Sequence, residues 1–151
     1  MFWVALQDAM LTTFSTLLTW GLRLFGGFWL VGGLLALQKA RQAYLIDNFL
    51  EALSNEKEDR LTSRFLLIGS LLTLFSGAGL LISTQWVLIP LALLVLSQLV
   101  YFRIKELRFQ QATNDEERSD ATVQPSTENA FIVSLVVAIA AFLCWRLGGL
   151  R

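Results

Sequence analysis

The chain has 151 residues, 55% of them hydrophobic and 16% charged, where an ordinary soluble domain carries about 25% charged residues. With a mean hydropathy of +0.58, this balance argues against a water-soluble globule and for a chain dissolved mostly in lipid. Twelve Lys and Arg balance twelve Asp and Glu, so net charge draws the chain to no nucleic acid, and none is expected as a partner. Histidine is absent and Cys144 is the single cysteine, which removes His-ligated metals, His acid–base chemistry and internal disulfides.

Charged residues delimit the apolar segments. Fifteen uncharged residues separate Arg23 from Lys39, thirty-eight separate Arg64 from Arg103, and seventeen run from Asn129 to Trp145. A hydrocarbon core of ~30 Å takes about 20 helical residues. Fifteen residues are too few for the first span, so the helix is expected to begin earlier, at about residue 11, and to reach 37. Arg23 then lies roughly one turn inside the membrane edge, where it can snorkel to the headgroups. The thirty-eight-residue stretch makes two spans, 65–82 and 87–103. They are hinged at Ser83-Thr84-Gln85-Trp86, with Pro90 in the first turn of the second. The last span is 129–146, with Ser126-Thr127 as a candidate cap. The expected fold class is all-α, an integral membrane four-helix bundle. The N-terminus lacks the basic region and cleavage site of a secretory signal and is read as mature protein.

Two connections carry the charge. Residues 38–64 keep a helical period, with Ile46, Phe49, Leu50 and Leu53 on one face, so helix one is expected to run on as an amphipathic extension to about Leu53 before a polar turn. Residues 113–128 hold six charges and no aromatic, and read as a flexible linker. Nine of the twelve basic residues lie in 38–64 and in the whole second connection, 103–128, while the tail offers Arg146 and Arg151. The positive-inside rule puts both connections in the cytoplasm and both termini outside, in a bacterial plasma membrane or one derived from it. Trp3, Trp86 and Trp145 then fall near the outer interface.

Three sets of residues are candidates for function. Asp8, Thr12, Ser15 or Thr16, Thr19 and Arg23 recur every three to four residues and form a polar stripe on helix one. They suggest a wetted pathway, or more plainly hydroxyls bonded back to their own helix. Asp8 and Arg23 are about 22 Å apart on an ideal helix and cannot pair within it. Small residues mark packing faces: Gly26 and Gly33 on helix one, with Gly32 and Ala36 beside them; Gly69, Thr73 and Gly77 on helix two; Ala130, Ser134 and Ala138 on helix four. Whether these faces meet within the chain or between molecules is left open. The extension offers Ile46, Phe49, Leu50 and Leu53 as a cytoplasmic contact.

Between their ends, helices two to four contain no Asp, Glu, Lys or Arg, and Ser97 and Gln98 are the polar pair deep in helix three. That composition argues against a proton-coupled carrier or a charge-lined channel. Without histidine no nucleophile–base pair can be assembled, and the glycine pairs lie inside an apolar helix rather than at a phosphate-binding turn. The acidic loop residues lack Ca²⁺-loop spacing and read as solvated surface. No cofactor or metal is expected. The expected function is a non-catalytic accessory, assembly or scaffold subunit of a larger membrane complex, with membrane lipid and a membrane-protein partner or a second copy as its neighbours. The alternative is a small oligomeric transporter or channel using the stripe. A membrane-embedded enzyme would need a bound lipid or cofactor near Gln98.

Overall fold

The computed structural model describes residues 2–54 and 61–150, and all regular structure there is helical. The helices are α1 (Phe2–Ser54), α2 (Leu61–Ile82), α3 (Leu88–Gln111), α4 (Asp115–Ala121) and α5 (Pro125–Arg146), with a 3₁₀ turn at Gln85–Val87. Four of them, α1, α2, α3 and α5, are long and apolar enough to cross a membrane. In none is more than 28% of the most apolar window buried. Large apolar side chains such as Phe28, Phe75, Leu96 and Val136 therefore point outward, as they do on a surface whose solvent is lipid rather than water.

α1 is a single helix of 53 residues, about 80 Å long at ~1.5 Å per residue. It lies antiparallel against α2 in the most extensive contact of the fold. Glycines set that contact. A Cβ on Gly26 would stand 2.8 Å from Leu80 Cβ and 2.9 Å from the Gly77 carbonyl, and one on Gly77 would stand 2.9 Å from the Leu30 nitrogen. Gly33 packs equally closely on Leu74. In lipid, where apolar tails give helices no hydrophobic reason to associate, such backbone approach supplies dispersion contact instead. Gly69 stands apart, with open space where its Cβ would be.

This pairing fixes the register of α1. The part facing α2 begins near Phe25, and Ala40 is still fully buried. The expected first span, 11–37, overlaps this segment without coinciding with it. Arg23 meets the α2–α3 turn itself, so residues N-terminal to it run past the end of that hairpin.

α2 ends in a Schellman motif. Ser83 takes a left-handed conformation (φ 57°), its N–H donates to Leu80 O, and the Thr84 N–H donates to Gly79 O, each at 3.1 Å. The 3₁₀ turn folds back so closely that a Cβ on Gly79 would meet Val87 Cβ at 2.8 Å. α5 ends the same way on Gly148 (φ 75°), with Gly149 N–H donating to Cys144 O at 2.9 Å. The core lies at this end of the molecule, where Leu22, Leu80, Val87, Leu91, Ala141 and Cys144 meet. At the far end α2 and α3 are held by a Phe65–Tyr101 ring stack (3.9 Å), and α3 and α5 by an edge contact of Phe102 with Phe131 (5.2 Å).

The stretch 113–128 contains α4 and the start of α5. Glu117, in the first turn of α4, accepts from the Thr113 N–H (2.9 Å) and from its hydroxyl (3.1 Å). These two bonds hold its carboxyl below the usual range. α5 starts at Pro125, and no side chain caps it. Ser126 and Thr127 lie inside its first turn rather than before it, because a proline, with no N–H to leave unpaired, is suited to the first helical position.

Candidate functional site

Two polar features interrupt the apolar interior. The first gathers much of the helix-one stripe. Ser15, Thr16, Thr19 and Arg23 line one crevice of about 340 Å³, closed by Ser83 and by the Gly148–Gly149 turn that ends α5. Arg23 Nε donates to Ser83 Oγ at 2.7 Å, and its guanidinium lies over the Trp20 ring at 5.5 Å. It stands at the C-terminal end of α2, where unsatisfied carbonyls carry partial negative charge. Thr19 Oγ1 is 3.3 Å from Cys144 Sγ, and Gly149 packs so closely on both that a Cβ there would come within 2.6 Å of each.

The threonine hydroxyls of the stripe turn back on their own helix. Thr12 donates to Ala9 O (3.0 Å), Thr16 to Thr12 O (2.8 Å) and Thr19 to Ser15 O (2.8 Å). Thr12 lies outside the crevice lining. The Asp8 side chain lies outside the described residues, as does that of Leu50. Sequence reasoning missed Ser83 as the partner of Arg23. The available signal was a serine directly after an apolar helix, where glycine is the usual left-handed residue.

The second feature is a slot of about 410 Å³ lined by residues of α1, α2, α3 and α5. Its α1 side carries Phe25, Phe28 and Trp29, with Phe25 and Trp29 edge to face at 4.9 Å. The small residues Gly32, Thr73 and Ala130 complete the lining with space, and Ser126 and Asn129 form the rim. Gln98 also lines the slot and is 6% exposed. Ser134, fully buried, donates to Gln98 Oε1 at 2.6 Å and lies 2.8 Å from Phe131 O. The polar pair deep in α3 is thus divided. Ser97 bonds to its own helix at Leu94 O (2.8 Å), and Gln98 reaches across to α5. Thr73 bonds to Gly69 O at 2.7 Å, and Ala138 packs against the core at the other end.

The extension of α1 leaves Ile46, Phe49 and Leu53 exposed, at 57%, 70% and 74%. At the opposite end, every described side chain from Trp3 to Phe14 is exposed. Among the described residues no group of three or more Cys, Asp or Glu side chains is placed to hold a metal ion. Comparison with protein-family models, with curated proteins and with solved structures returns no match to this chain.

Proposed function

We propose that the chain is a four-helix bundle in a bacterial plasma membrane, with both termini outside and the long connections cytoplasmic. In this reading it serves, without catalysis of its own, as an accessory or assembly subunit docked on a larger membrane complex. The observation that carries the reading is the overhang of α1. Arg23 bonds to the α2–α3 turn and Thr19 abuts the end of α5. The helix from Phe2 to Phe14 therefore runs about 18 Å beyond the other helices at ~1.5 Å per residue. It is not a polar stalk, because Met10, Leu11 and Phe14 are all exposed on it. An apolar rod of that length standing in water is unstable by the transfer free energy of its whole surface. It calls for a covering apolar surface, which the chain itself does not supply among its described residues.

The test is site-specific photocrosslinking in native membranes. A benzophenone side chain at Leu11 or Phe14 is expected to give one discrete protein adduct. The same group at Phe75 or Ile139, which face outward within the spanning helices, is expected to give lipid adducts. The reading fails if the overhang yields lipid adducts alone, or if its adduct is a second copy of this chain. The transporter reading draws support from the crevice that gathers Ser15, Thr16, Thr19 and Arg23. It is the weaker of the two, since the threonine hydroxyls are already engaged by their own backbone.

A further inference from the structure

Gln98 is the buried polar group whose hydrogen bonding is incomplete. Its Oε1 is taken by Ser134, and no described residue accepts from its Nε2. No fully enclosed side-chain nitrogen or oxygen among the described residues lacks a partner. The uncommitted half of the carboxamide therefore opens onto the slot, although the residue as a whole is 94% buried by its 6% exposure. An amide N–H left without a partner in an apolar surrounding is destabilising, so the position favours a molecule that brings an oxygen to it.

We infer that this slot binds a neutral, flat, ring-headed lipid of the prenylated quinone class, with a ring oxygen on Gln98 and the ring beside Phe25, Phe28 and Trp29. Three observations select that chemistry. Among the described residues no charged side chain lines the slot, so an anionic or zwitterionic headgroup has no counterpart there. Ser134, the partner of Gln98, lies five residues into α5 from Asn129 at the rim, about 7–8 Å deeper at ~1.5 Å per residue. That depth suits a carbonyl or hydroxyl and not a phosphate, whose charge stays at the interface. Aromatic rings from α1 together with the small residues Gly32, Thr73 and Ala130 in the same lining leave room for a ring.

The Gln98–Ser134 pair serves both redox forms of such a ring. As drawn, Ser134 donates to Oε1 and Nε2 donates into the slot, to a quinone carbonyl. Turned by half a rotation, the carboxamide donates through Nε2 to Ser134 Oγ, whose hydroxyl hydrogen goes to Phe131 O, 2.8 Å away. Oε1 then accepts from a quinol hydroxyl. No covalent step is involved.

The experiment titrates decyl-benzoquinone into the full chain in phospholipid nanodiscs, with tryptophan quenching as readout. Saturable quenching is expected, and Trp29→Phe should remove its saturable part. Gln98→Leu, which leaves Ser134 its bond to Phe131 O, should weaken binding roughly tenfold. Gly32→Leu fills the slot from a position with nothing within 4 Å of its Cβ, and should abolish binding while the thermal transition stays in place. The inference is overturned if quenching rises linearly with probe, which means phospholipid already fills the slot. It is equally overturned if a sterol competes as well as the quinone, or if both variants bind like the wild type.

Discussion

Ser83 combines a local strain with a long-range bond. A non-glycine residue at φ 57° is disfavoured by roughly 1–2 kcal/mol relative to glycine, yet its hydroxyl accepts from Arg23, sixty residues earlier in the chain. The two effects separate by substitution. Ser83→Ala keeps the strained backbone and strips Arg23 of its acceptor, and should cost about 2 kcal/mol. Ser83→Gly also loses the acceptor but relieves the strain, so its loss should be smaller by about 1 kcal/mol. Unfolding in mixed detergent micelles reads both. If the glycine variant is the less stable one, the hydroxyl is not what holds the turn to α1. The same residue shows where sequence reading stops. Arg23 was visible as a charge needing an escape from lipid, and the headgroups were the available answer. The structure adds an acceptor at the hinge, because antiparallel packing of α1 on α2 brings Arg23 and Ser83 together.

Helix pairing separates glycines that are alike in sequence. Gly26 and Gly77 meet backbone atoms across the α1–α2 contact, whereas Gly69 faces open space. Backbone cannot give way as a flexible side chain can. Gly26→Ala should therefore destabilise the α1–α2 pair by about 1–3 kcal/mol. Gly69→Ala should be neutral or stabilising by up to about 1 kcal/mol through helix propensity. Thermal unfolding of the two variants side by side checks the contrast, and equal losses would mean that Gly26 is not held against α2. Helical period displayed the small-residue faces because period determines which residues share a face. It carries no information on which helix lies opposite, so Gly69, Thr73 and Gly77 read as one stripe although, of its two glycines, only Gly77 is in tight contact. The extent of the helices was legible for the related reason that charges and prolines interrupt apolar runs. The start of α5 at Pro125 was hidden by two hydroxyl residues that resemble a cap.

At the scale of the whole molecule, four helices long and apolar enough to cross a membrane were legible because apolar length is a sum over residues and tolerates local error. The register of α1 was not. Its apolar run exceeds one membrane thickness, and only contact with α2 selects which part faces the hairpin. Orientation rests on the placement of nine basic residues in residues 38–64 and 103–128, and that reading is open to direct measurement. The fully buried Cys144 can be replaced by serine, whose hydroxyl keeps a partner in Thr19, to give a cysteine-free chain. Single cysteines are then placed at the exposed positions Gln85, in the α2–α3 turn, and Ser119, in α4. With both termini outside, a membrane-impermeant maleimide should label position 85 in intact cells and position 119 only after lysis. The reverse pattern would invert the molecule. The apolar overhang of α1, which lies at the same end as Gln85, would then stand in the cytoplasm, and its covering surface would have to be sought there.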